Sequence, residues 1–198
     1  MRACRLCEPH LPLGAKPVLR AGTSARLLIV GQAPGTKVHA TGIPWNDASG
    51  NRLRQWRAID RDTFHDENIV AIVPMGFCYP GKGKGGDLPP RSECAPTWHP
   101  KILPLLPNIR LILLIGSYAQ SAFLGATRHS TLTGTVRAAK DYLPRYLPLP
   151  HPSPRNQMWL RRNPWFEQDI VPLLRGHVAA ALAAPSPFVA SMREQQGR

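Results

Sequence analysis

The sequence predicts an α/β fold: a single domain with a mainly parallel central sheet flanked by helices. Short apolar runs at 25–31, 68–74 and 109–117 read as buried parallel strands. Segments with apolar residues at helical spacing alternate with them, the pattern of strand–helix units around one sheet. Loops rich in glycine and proline begin where the runs end, the place where sheets of this kind carry their sites.

"ARLLIVG" (25–31) is the first strand, and its closing glycine marks the exit. "QAPGTKVHATGIPWNDASG" (32–50) is dense in Gly, Pro, Asn and Asp and reads as one long loop. "NRLRQWRAI" (51–59) places Leu53, Trp56 and Ile59 on one helical face. "NIVAIVP" (68–74) is the second strand, and "CYPGKGKGGDLPPRSEC" (78–94) a loop held only if something ties its two cysteines. A proline-interrupted helix follows over 95–106, then a strand over 109–117, a helix over 118–124 and a fourth strand, or at least an extended segment, over 146–151. Residues 158–182 read as helical with a break near Pro164. The folded domain is expected over 1–184, and 185–198 is expected to be a polar, frayed tail.

The chain has 198 residues, enough for one substantial core. No apolar run approaches the roughly 20 residues that span a bilayer, so no membrane association is expected. "MRACRLCEPH" lacks the apolar stretch of a secretory signal, which predicts a cytoplasmic protein. Twenty-five Lys and Arg against twelve Asp and Glu leave a net charge of +13. That balance repels itself and favours a polyanionic partner, nucleic acid above all, although a merely solvated basic surface would look the same.

Cys4 and Cys7 form a C-x2-C pair, and Cys78 and Cys94 form a second pair fifteen residues apart. Disulfides are disfavoured in a cytosolic chain. If folding joins the pairs, the four thiolates make a metal site, and the chemistry alone allows zinc or an iron–sulfur cluster. Four unrelated thiols are the plain alternative. In "PHPSPRN" (150–156), prolines on both sides stiffen the backbone around His151 and Ser153. The segment is either a proline-rich linker or a rigid loop that presents both side chains at set angles.

"GQAPG" after the first strand, "TGIPWNDASG" beyond it, the C-x2-C and C-x15-C cysteines and the terminal "HPSP" together resemble the uracil-DNA glycosylase superfamily. The nearest pattern is its iron–sulfur, thermophile-type class (family four), whose motif order runs through residues 4–175. The resemblance implies a [4Fe–4S] cluster on Cys4, Cys7, Cys78 and Cys94, with zinc the lesser choice. It implies that Gly31, Gln32, Ala33, Pro34 and Gly35 lie beside the sugar and base, that Trp45 stacks on a flipped uracil, and that His151 stands near uracil O2. Pro152, Ser153 and Pro154 would grip a DNA phosphate, with Arg155, Arg161 and Arg162 following. The family's glutamate in GEAPG is Gln32 here, and its Glu-Asp pair is Val38-His39. Ala33 stands where other classes carry an activating aspartate, and Pro74 where an asparagine would read uracil. "NDASG" resembles the GDASG segment of the class with broader substrate range, one residue out of step.

The implied activity is hydrolysis of the N-glycosidic bond of uracil in single- or double-stranded DNA, by a monomer, leaving an abasic site. The base must first leave the stack, at a cost of a few kcal/mol. Stacking on Trp45 would return about 1–3 kcal/mol, and His151 would stabilise the departing uracil anion. Asp47 would orient the attacking water, or failing that Asn46 or Gln32. Plainer roles stay open: Trp45 as a core residue, Asp47 as a helix cap, Gln32 as a backbone ligand within its own loop, the arginines as solvated charge. The loss of family carboxylates allows a second function, a non-catalytic binder of uracil or abasic DNA on the same scaffold.

Overall fold

The structure, a computed structural model, describes residues 1–183. In chain order the regular elements are β1 (Leu27–Val30), α1 (Thr36–Thr41), α2 (Ala48–Arg57), α3 (Arg61–His65), β2 (Val70–Ile72), β3 (Lys82–Gly83), β4 (Gly86–Asp87), α4 (Cys94–Ile102), β5 (Leu111–Ile115), α5 (Ser117–Leu124), α6 (Leu132–Arg137), β6 (Tyr146–Leu149), α7 (Gln157–Arg162) and α8 (Val171–Ala183). The central sheet has the order β2-β1-β5-β6, and every pair in it is parallel. The expected fold class is the observed one.

The strands of β1, β2 and β5 are apolar throughout because helices cover both faces. Leu27, Ile29, Leu113 and Leu147 point to one layer, closed by Leu53 and Trp56 of α2 and Val171, Leu174 and Val178 of α8. Leu28, Val30, Ile112 and Leu114 point to the other, closed by Phe77, Ala119 and Leu124. Pro148 is tolerated inside β6 because β6 is an edge strand, where a missing N–H breaks no second ladder. The break expected near Pro164 separates α7 from a turn of π-helix, Phe166–Ile170, that runs into α8.

Four segments depart from the expectation, one of them α6, in a stretch to which the sequence assigned no element. The loop over 32–50 contains α1, and α2 begins inside it at Ala48 rather than at 51. The short helix α3 exists because Asp60 caps it, accepting from the Thr63 N–H at 2.8 Å, and because Phe64 is fully buried under the guanidinium groups of Arg54 and Arg57. The cysteine-bounded loop over 78–94 carries a small antiparallel hairpin, β3–β4. The domain boundary at 184 and the tail over 185–198 lie outside the described residues. Among the described residues, no helix is long and apolar enough to cross a membrane.

Candidate active site

A cavity of about 250 Å³ opens at the carboxyl ends of β1, β2 and β6. Gly31 to Gly35 form one wall, Pro44, Trp45, Asp47 and Ser49 a second, His151, Ser153 and Arg155 a third, and Asp87 of the hairpin a fourth. The loops after β1 and β6 thus meet there with the turn into α2, as the sequence predicts for sites in such sheets.

Trp45 sits at φ 56°, a rare backbone state for a bulky residue. The strained turn swings its indole over Gly31, so close that a Cβ on Gly31 would stand 2.9 Å from the ring. The indole lies 5.6 Å from the His151 ring, the planes 31° apart. Trp45 is half-buried and also packs on the core, so its structural and pocket-lining roles coexist.

His151 is held through its own backbone. Its carbonyl accepts from Asn156 Nδ2 at 2.7 Å, and the next carbonyl but one, of Ser153, accepts from Arg52 of α2 at 3.2 Å. Arg52 also reaches Gln157 Oε1 at 3.0 Å, so α2 clamps the loop onto the start of α7. Below it the Leu149 carbonyl at the end of β6 accepts both the Gly116 N–H and the buried Gln120 amide, each at 2.9 Å. The segment is therefore a rigid loop and not a linker. Burial lowers the His151 pKa below its ordinary 6.5, and the charges of Asp47 and Asp87 oppose that shift. The imidazole is neutral at pH 7.

Asp47 has both roles that its sequence context allows. It caps α2, with Oδ1 accepting the Gly50 N–H at 2.8 Å, and it lines the cavity. The expected places of Asn46 and Gln32 need correction. Asn46 is absent from the cavity wall, and its Oδ1 accepts from Arg61 of α3 at 3.0 Å. Gln32 does line the cavity, but its amide donates to the Leu88 carbonyl of the hairpin at 3.0 Å, not within its own loop. Arg161 and Arg162 lie exposed on α7, Arg161 in a separate cleft with Arg52 and Gln157, whereas Arg155 reaches the cavity. Pro152 is buried and Pro154 opens a short turn capped by Ser153. Asp87, Ser49 and Arg52 are functional-wall or clamp residues that the sequence reading passed over.

In a separate place, Cys4, Cys7, Cys78 and Cys94 line one small apolar cavity with Leu6, Leu11, Phe77 and Trp98. None is in a disulfide. An N–H group already points at one sulfur, Phe77 N to Cys94 Sγ at 3.4 Å. Burial raises the thiols of Cys7 and Cys78, and that of Cys94 to about 11. All four cysteines are half-buried and share that one cavity. Among the described residues, no three His, Cys, Asp or Glu side chains converge tightly enough to hold a single metal ion.

Residues 20–175 match the model of the family described as Uracil DNA glycosylase superfamily.

Proposed function

The chain belongs to the uracil DNA glycosylase superfamily, and on that premise we propose that it excises uracil from DNA by hydrolysing the N-glycosidic bond. The superfamily acts on DNA, and base-excision repair is the process its membership supports. The observation that carries the finer reading is the cavity itself: an indole, a neutral imidazole and a carboxylate share one wall system large enough for a flipped base. In this reading Trp45 offers an apolar ring to the base, and the His151 N–H stabilises the anion as the base departs. Asp47 has one oxygen engaged by Gly50 and one left to orient water. All of these come from one chain, so the reading needs no second copy. The test is single-turnover excision from oligonucleotides with one uracil, extended to other deaminated bases. Tight uracil-DNA binding with no excision would instead establish a non-catalytic binder.

Arg155 lines the cavity, and further exposed cations lie on two segments: Lys82 and Lys84 on the hairpin, Arg161 and Arg162 on α7. In this reading they hold phosphates of the bound DNA. DNA affinity should therefore fall steeply with salt. Replacing Arg155, Arg161 and Arg162 with alanine should flatten the log–log slope by up to about 0.9 for each arginine that neutralises a phosphate. An unchanged slope would remove these arginines from the DNA interface.

We further propose that Cys4, Cys7, Cys78 and Cys94 hold a [4Fe–4S] cluster. The reading rests on the family resemblance of the four cysteines, whose side chains line one apolar cavity. Bound there, a cluster would supply a cross-link between the N-terminal segment and the hairpin loop. Protein purified without oxygen should contain iron and absorb visible light, and Cys78→Ser should lower soluble yield and melting temperature. Stoichiometric zinc without iron would overturn the cluster.

A further inference from the structure

We propose that Asp87 is a second catalytic carboxylate, which faces the sugar of the flipped nucleotide and stabilises its positive charge as the base leaves. The assignment rests on the glycosylase reading above. Asp87 closes the β3–β4 hairpin, paired with Lys82 across it. It lines the same cavity as His151 and Asp47, and its Oδ2 would lie 3.3 Å from a Cβ on Gly35.

The hairpin is not a loose surface loop at this point. Gln32, from the loop after β1, donates to the carbonyl of Leu88, the residue that follows Asp87, at 3.0 Å. Arg155, from the loop after β6, donates to the carbonyl of Gly85, two residues before it, at 3.3 Å. The Leu88 N–H closes back on Gly81 at 2.8 Å. Gly86 has φ 146°, and a Cβ there would stand 2.6 Å from the Arg155 guanidinium, so the hairpin and the His151 loop pack without a gap. The two loops that frame the cavity therefore grip Asp87 from both sides.

Among the described residues, none donates a hydrogen bond to the Asp87 carboxylate, whereas Asp47 already has an oxygen engaged by Gly50. A carboxylate in a cavity wall with no protein donor is free to act on substrate. The reaction needs one. The C1′–N1 bond breaks with its electron pair leaving on the base, and the sugar becomes oxocarbenium-like. The oxygen of water then bonds to C1′, and the proton that water loses ends on the departed base. The first step separates charge. His151 serves the anion, Asp47 orients the water, and Asp87 stays anionic beside the cation, with no proton moving onto it. Lys82 and Lys84, exposed on the same hairpin, offset its repulsion of phosphate.

Asp87→Asn keeps the shape and removes the charge. The full chain is assayed in single turnover on oligonucleotides carrying one uracil or one 5-fluorouracil, beside wild type and His151→Ala, with affinity for abasic DNA measured in parallel. Asp87→Asn is expected to slow both substrates by a similar factor, on the order of 10², because both leave the same sugar cation. Its affinity for abasic DNA should stay level or rise, since a negative charge has gone. The His151→Ala loss should shrink with 5-fluorouracil, whose fluorine already stabilises the anion. Wild-type rates in Asp87→Asn would overturn the assignment alone. So would a loss that shrinks with 5-fluorouracil, or one that only tracks weaker DNA binding. A wild type that excises neither base would overturn the glycosylase reading and this assignment with it.

Discussion

Replacing His151 with alanine is expected to slow single-turnover uracil excision by about 10²–10³, the usual cost of removing one donor aimed at a developing anion. Binding of uracil-containing DNA should change little, because ground-state uracil carries no full charge for the imidazole to meet. The size of the effect follows from pre-aiming. Pro150 and Pro152 restrict the backbone on both sides, Asn156 holds the His151 carbonyl, and Arg52 holds the loop one turn on. The ring therefore has little reorganisation left to make during bond cleavage. Burial sets the sign of the pH dependence. The folded pKa lies below 6.5, so the unfolded chain takes up the proton first on acidification. The contribution of His151 to stability is complete above about pH 6.5 and is lost as pH falls through the lower folded value. Melting temperatures of wild type and His151→Ala, measured against pH, should converge on that limb. Unchanged excision by His151→Ala, with an active wild type, would leave the loop with phosphate gripping alone and move anion stabilisation to backbone N–H groups.

The sheet was legible because its evidence is local. Runs such as "LLIV" and "LILLI" are apolar on both faces and end in glycine, and nothing else in a chain of this size looks like that. The missed elements have weak local signals. "TKVHAT" has one buried apolar residue, Val38, and "RDTFH" has one, Phe64. Each helix is too short for a period to repeat. Only the Asp60–Thr63 cap could have marked α3. The hairpin hides in "KGKGGD", where glycines read as loop, although Lys84-Gly85 between paired Gly83 and Gly86 is a two-residue turn of the kind that favours glycine.

These omissions account for the misplaced side chains. Asn46 was an alternative for orienting the water, but Arg61 of the unforeseen α3 takes its oxygen. Gln32 was expected at the water or within its own loop, but the unforeseen hairpin takes its amide. Asp87 could not be placed from sequence at all, because its position depends on tethers from residues more than fifty positions away in one direction and nearly seventy in the other. Polar site residues are assigned by who else arrives, and a reading without α3 and the hairpin lacks two of the arrivals.

Gly50→Ala is expected to be the most damaging single methyl group in the site. Gly50 sits in the first turn of α2, and a Cβ there would stand 1.7 Å from the Trp45 carbonyl oxygen and 2.7 Å from its carbon. The obstacle is backbone, so no rotamer change relieves it. Clearing it means moving the Trp45 peptide by more than about 1 Å, the scale at which misplaced groups lose about 10² in rate. The same movement disturbs the Asp47 cap, whose donor is the Gly50 N–H itself, and the indole that covers Gly31. Stability should fall by about 3 kcal/mol, the upper range for overpacking, with loss of the cap included. Gly176, in the interior of α8, is the control, since a Cβ there meets nothing within 4 Å. Gly176→Ala should stabilise the fold by about 0.5–1 kcal/mol through helix propensity alone. Chemical unfolding of the two variants, with single-turnover rates, separates the cases. If Gly50→Ala folds and excises like Gly176→Ala, then the turn that sets Trp45 at positive φ is not what positions the base, and the indole must reach it by another path.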